Sequence, residues 1–222
     1  MNKLFALGAA SLALATFPTV AHAEAGDVQV KLLGTLVAPD GKITELTVPL
    51  SGVTDGVQTE ANDNFVPTVS IEYYFTDNFS IETICCMTQH DVDATTGLPG
   101  AELVSNAKVI PATFTAKYHF DLGAVKPYVG AGPTYFLWVG EKPGADTIPL
   151  GVTDTTFSDE FGFALQAGMD IDIGQEGFGI SLDAKRYFVD TTARWYVGDT
   201  VVIQTEHKLD PWVVSAGVSY TF

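Results

Sequence analysis

Apolar and polar residues alternate with a period of two along most of this chain, and no stretch sustains a helical period. That period predicts strands with two unlike faces. Over 27–37, Val28, Val30, Leu32, Gly34 and Leu36 share one face. Phe65, Pro67, Val69, Ile71, Tyr73 and Phe75 form the next, before a tight turn at 76–78. A third strand opens at Phe79, with Ile81, Thr83, Cys85 and Met87 on its apolar side. The fourth alternates most regularly, Ile110, Ala112, Phe114, Ala116 and Tyr118 against Pro111, Thr113, Thr115, Lys117 and His119. A fifth runs from Val125 to about Val139, a sixth from Phe161 to Ile173, a seventh from Phe178 to Phe188, and the last from Pro211 to Phe222.

The connections alternate in length. Residues 38–61, 89–107, 140–158 and 190–208 read as long polar loops, whereas 76–78, 121–124 and 174–177 are short turns. An even number of strands with short turns at one rim and long loops at the other is the pattern of a transmembrane barrel. The fold class expected is therefore all-β, a closed eight-stranded antiparallel up-and-down transmembrane β-barrel. A soluble eight-stranded barrel or sandwich would have little reason to sort its loops by length. Closure also removes the sheet edges that hydrocarbon does not tolerate. Aromatic residues gather near both strand ends, Tyr73, Phe75, Phe79 and Tyr220 at one rim, Trp138, Phe161, Phe188 and Trp212 toward the other. Such girdles suit amphipathic rings at two bilayer interfaces.

Composition adds three points. Residues 1–23 read as a signal peptide: Lys3, an apolar run of 14 residues from Leu4 to Phe17, and Ala21-His22-Ala23 before the expected cleavage. That run is shorter than the roughly 20 residues of a spanning helix. Residues 24–222 would then form one barrel domain. The formal charge of −16 comes from 11 basic and 27 acidic residues, which argues against nucleic-acid partners, whose phosphates demand cations. The cysteines are the neighbours Cys85 and Cys86. They point to opposite faces of a strand and read as small apolar fillers rather than a disulfide framework.

In a membrane barrel the apolar face looks at lipid, so the alternate residues line the lumen. Strand direction gives each one a depth. Lys31, Glu72, Glu82, Lys117, His119, Lys126, Asp170 and Asp172 fall in the half near the short turns, with Asp183 and Lys185 nearer the middle. Toward the long loops the same face offers Leu33, Val37, Ile84, Cys86, Phe136, Trp138 and Ala164. The expected lumen thus has a charged layer that plugs one half and an apolar pocket above it. An eight-stranded barrel is narrow enough for side chains to fill it or to leave room for one small ligand. Prolines donate no ladder hydrogen bond, so Pro111 and Pro133, on adjacent strands, are candidates for a weak seam through which a ligand leaves sideways.

Several stretches resemble the OmpW family of bacterial outer-membrane proteins: Asp77-Asn78-Phe79-Ser80-Ile81-Glu82, Ala116-Lys117-Tyr118-His119-Phe120, Lys126-Pro127-Tyr128-Val129-Gly130-Ala131-Gly132, Phe163-Ala164-Leu165-Gln166-Ala167-Gly168, Leu209-Asp210-Pro211-Trp212-Val213 and the terminal Tyr220-Thr221-Phe222. The resemblance implies an eight-stranded barrel in the outer membrane of a Gram-negative bacterium, with chain ends and short turns in the periplasm. It also implies an apolar pocket from which small hydrophobic molecules leave through the wall. The adjacent Cys85-Cys86 and the long first connection depart from the family pattern, so substrate identity does not transfer. The expected partners are outer-membrane lipid, lipopolysaccharide and small hydrophobic solutes, with no nucleic acid, no cofactor and a monomeric state.

Two rival classes remain. A structural or receptor barrel, serving phage or bacteriocins, would have an interior filled from rim to rim. A lipid-modifying barrel enzyme would need a nucleophile, a histidine and an orienting group within reach. His119 lies among lysines with no serine at an obvious triad position, so no catalytic residue is assigned. His90 with Asp91 and Asp93, or His207 with Glu206, offers only weak metal-ligand spacing, so no metal site is assigned either.

Overall fold

The computed structural model describes residues 24–48, 56–175 and 177–222, and the leader expected over 1–23 lies outside them. Among these residues run fifteen strands: β1 (Val28–Ala38), β2 (Lys42–Val48), β3 (Gln58–Ala61), β4 (Asn64–Thr76), β5 (Phe79–Cys85), β6 (Thr88–Thr96), β7 (Glu102–His119), β8 (Val125–Val139), β9 (Lys142–Pro143), β10 (Asp154–Phe157), β11 (Glu160–Gln175), β12 (Phe178–Phe188), β13 (Asp190–Val197), β14 (Thr200–Lys208) and β15 (Trp212–Thr221). Eight of them close a ring in the order β1-β4-β5-β7-β8-β11-β12-β15, which returns to β1, every pair antiparallel. Each strand of the ring therefore has a neighbour on both sides, the condition for crossing hydrocarbon.

The outward face is apolar. Phe65 is 69% exposed, Phe114 53% and Val218 56%. A belt of such side chains around a barrel is a lipid-facing surface, since soluble monomers do not expose continuous apolar area on this scale. At the short-turn rim the aromatic rings touch in pairs, with Tyr73–Phe75 centroids 5.0 Å apart, Tyr118–Phe120 5.1 Å and Tyr220–Phe222 4.7 Å. Tyr135 and Phe161 meet at 4.5 Å toward the other end.

The long connections are not polar loops, and here the expectation is corrected. Residues within 38–61, 89–107, 140–158 and 190–208 form strands that carry the wall beyond its eight-stranded ring. One group, β3-β6-β7-β9, continues the main sheet, and β10-β13-β14-β2 makes a second, four-stranded sheet. Thr191, Ala193 and Trp195 on β13 are buried between half-exposed Thr192, Arg194 and Tyr196. That is strand alternation whose outer face meets water instead of lipid, so its polar side hides the pattern.

The third strand of the ring is also broken. β5 ends at Cys85 and β6 begins at Thr88, both keeping one register against β7 (Ile84 opposite Thr113, Thr88 opposite Val109). Between those pairs lies Pro111. On the other side, β4 pairs with β1 from Asn64 but with β5 only from Val69, opposite Cys85. Pro67 sits just beyond that last pair. Prolines on two strands thus flank the break in the strand between them, and neither can donate to a ladder.

Candidate functional site: a layered lumen

Inward residues from seven strands of the ring build a charged layer near the short turns. Lys31 of β1 has its ammonium 2.8 Å from Glu72 and 3.3 Å from both Glu82 and Asp170. Lys117 of β7 lies 2.6 Å from Glu72 and 3.1 Å from Glu82. Lys185 of β12 bonds Asp183 at 2.7 Å and Glu82 at 3.0 Å. His119 Nε2 is 2.8 Å from Glu72 Oε1, and Ser181 donates to Asp170. Lys126 stands directly opposite Asp170 in the β8–β11 ladder.

Neutral side chains complete the layer. Gln166 donates its amide to Glu82 at 2.9 Å and to Asp183 at 2.6 Å while accepting from Thr115. The Tyr128 hydroxyl donates to Asp183 at 2.9 Å, and Lys117 sits 3.7 Å above the Tyr128 ring. Four lysines and four carboxylates, Glu72, Glu82, Asp170 and Asp183, make a balanced set, all buried. Desolvated charges are sustainable only with this degree of pairing and hydrogen bonding. Asp172 departs from the expected layer: it is half-buried and accepts the Gly174 N–H at 2.7 Å. It caps the turn because it is the last inward position before the chain reverses.

Above the charges lies a belt of hydroxyls. Thr113 and Thr134 are 2.8 Å apart, Thr113 reaches the Tyr187 hydroxyl at 3.3 Å, and Thr35 meets Ser215 at 2.8 Å. Higher still the interior is apolar and encloses a cavity of about 50 Å³. Val37, Ile84, Cys86, Phe136 and Trp138 line it, as does Pro111. Leu33 and Ala164 are buried in the barrel but do not line it, since they sit lower in their strands, at the hydroxyl level. Pro133 faces outward, exposed to lipid. Cys85 and Cys86 are free thiols, one outside and one inside.

Sequence reasoning missed the upper lining. Val109, Tyr187, Leu209 and Val213 belong to it, and so do His90, Trp195 and His207 from the extension. Parity of Val109 and Tyr187 with their strands could have found those two. The extension residues depend on pairing that lies outside the ring. His207 has its Nε2 2.6 Å from Thr205 Oγ1 and its Nδ1 3.4 Å from the Gly41 carbonyl. Burial lowers its pKa to about 4 against the weaker opposing effect of the Gly41 carbonyl. Burial likewise lowers that of His90, whose ring is 2.6 Å from the Asn62 carbonyl and 3.0 Å from Thr88. Among the described residues no cluster of three or more His, Cys, Asp or Glu is arranged to hold a metal ion.

A closed, outwardly apolar barrel around a charged and then apolar lumen defines an outer-membrane β-barrel protein. The model of the OmpW family matches residues 24–222. The chain belongs to that family and resides in the outer membrane of a Gram-negative bacterium. It is 34% identical to the uncharacterized outer-membrane protein y4mB of Sinorhizobium fredii, covering 98% of this chain and 92% of that one. It is 27% identical to outer membrane protein W of Vibrio cholerae, over 95% of this chain and 94% of the relative. The crystal structure of OprG from Pseudomonas aeruginosa superposes with a TM-score of 0.81 at 23% identity, covering 91% of this chain and 99% of that one.

Proposed function

We propose that this barrel passes small apolar molecules from the cell exterior into the lumen cavity and releases them sideways into the outer membrane, rather than catalysing a reaction. The observation that carries this reading is an apolar cavity set above a paired charge layer, with a belt of hydroxyls between them. An apolar solute gains by area burial, at about 25 cal/mol per Å², against Phe136, Trp138 and Leu209. Going further down it would break ion pairs and leave charges unmatched. The wall is the less costly way out, and its neighbours there are lipid and lipopolysaccharide. The same orientation puts the chain ends in the periplasm.

The exit we propose is the seam between β4 and the β5–β6 break. There Pro67, Met87 and Pro111 lie at one height on three successive strands, and Ile84, Cys86 and Pro111 face the cavity. The side of β7 facing Pro133 is a weaker candidate because the backbones are pressed together. A Cβ on Gly132 would stand 1.9 Å from the Phe114 carbonyl. A cavity of about 150 Å³ holds one benzene, so the 50 Å³ present here must widen as a solute passes. Trp138 and Leu209, packed at its upper end, are the side chains to move.

Uptake of a small apolar tracer into proteoliposomes tests the reading. Val109→Trp, which fills the cavity, should slow uptake at least tenfold in a barrel that still shows the folded, heat-modifiable gel mobility. Wild-type rates in that folded variant would overturn passage through the lumen and leave an anchoring or receptor barrel.

A further inference from the structure

A second, mostly apolar space lies outside the lumen, in the extension between the second sheet and the prolonged main sheet. It has a volume of about 270 Å³, some five times that of the lumen cavity. Leu46, Val57, Ala94, Leu103, Leu150 and Ile203 are among its walls. At its rim Leu98 and Leu150 are each 55% exposed. These two leucines place apolar surface at the opening of the cavity.

One side chain belongs to both cavities. Trp195 of β13 lines the lumen cavity and the external one. It is 3% exposed, and its indole N–H donates to the Leu103 carbonyl at 3.0 Å. That hydrogen bond from β13 to β7 is one of several between the two sheets, with Gln58 to the Ile43 carbonyl and Thr59 to His207 among the others, and it holds the ring across the boundary. Val104, Ala107, Val152 and Ala193 form one buried cluster with Trp195.

We propose that the external cavity is a receiving site for one uncharged apolar molecule and that the Trp195 ring is the movable partition between it and the lumen. The proposal rests on the passage reading above and adds where the molecule is first held. By the same scale that puts benzene in about 150 Å³, 270 Å³ takes a chain of about ten carbons. Charge decides the head group. The four lysines and four carboxylates of the lumen cancel, so the excess charge, −17 when Lys3 of the expected leader is set aside from the −16 of the full sequence, is carried outside the lumen layer, and Glu45 is at the cavity itself. Such a field repels carboxylates and sulfates, which leaves hydrocarbons and their neutral derivatives.

The test uses the protein in lipid nanodiscs with Trp195 as its sole tryptophan (Trp138→Phe, Trp212→Phe), titrated with 1-bromooctane and 8-bromooctanoate. Saturable quenching of Trp195 by bromooctane, at least tenfold weaker for the carboxylate and abolished by Ala94→Phe, is the expected result. A sole-Trp212 protein, whose indole faces lipid, reports the non-saturable background of partition into the bilayer. Quenching of Trp195 no stronger than that background, in a protein that still takes up tracer, overturns the receiving site and leaves passage standing. Saturable quenching in a protein that takes up no tracer does the reverse. In the otherwise native chain, Trp195→Ala should speed tracer uptake several-fold and admit larger molecules. An unchanged rate in that folded variant overturns the partition.

Discussion

Lys117 and Glu72 meet at 2.6 Å inside the barrel although their strands, β7 and β4, are not neighbours. The pair spans β5 and so links walls that the ladder alone does not. Both side chains are fully buried. Removing Lys117 leaves Glu72 with Lys31 and His119 but the buried layer with one carboxylate too many, at a cost of up to about 3–5 kcal/mol. Lys117→Met should lower unfolding stability by that order in urea titration of the detergent-folded barrel. A loss under 1 kcal/mol would mean that water reaches the layer.

The same layer governs conductance. Eight strands give a bore that side chains fill, and here paired charges occupy it from wall to wall. Planar-bilayer recording should therefore show no large, steady ionic current. Glu82 accepts from three lysines, so Glu82→Ala is the variant that should raise current first. A porin-like conductance in the wild type would contradict the plug.

Acid should loosen the extension before the barrel. His207 titrates near 4 when folded and about 6.5 when unfolded. The unfolded form thus binds the proton more tightly. The stability this residue contributes is complete above pH 6.5 and falls as pH drops toward 4, by about 3 kcal/mol in all. His90 adds a slope of the same sign. Amide protection factors in β2 and β14, taken relative to the intrinsic exchange rate at each pH, should fall between pH 7 and 4.5, and His207→Gln should remove most of that change. Equal acid sensitivity in the variant would place the effect elsewhere.

Which parts of this were legible in the sequence follows from what each strand faces. Ring strands separate lipid from lumen, so alternation such as Phe114 out and Thr115 in is sharp. Strand direction then set the depths of Lys31 and Glu82. The strands of the extension separate water from a small apolar interior, and a stretch such as Thr191–Val197 resembles a polar loop until its partner is known. The break after Cys85 was hidden because the register against β7 is unchanged across it. Asp172 has the parity of a lumen residue but lies where the turn needs an acceptor. Leu33 and Ala164 share the inward face, yet only the packing above them decides whether a cavity reaches down to them.

The wall itself offers the last test, because its two proline regions differ in kind. At Pro133 the β7–β8 ladder skips Phe114 and Thr115, but Gly132 lets the backbones close the gap tightly. Any side chain there must push β7 away, so Gly132→Ala should cost several kcal/mol by overpacking and open a seam where none exists. At Pro67 and Pro111 the strand between them is already interrupted at Cys86 and Met87. Pro67→Val with Pro111→Val restores two donors, allowing the ladder to continue past Val69. That pair should stabilise the barrel slightly and reduce tracer release into lipid at least fivefold, whereas Pro133→Val should leave release near the wild-type rate. Measuring release into acceptor vesicles for all three folded barrels separates the seams. If Pro133→Val alone slows it, the exit is on the far side of β7.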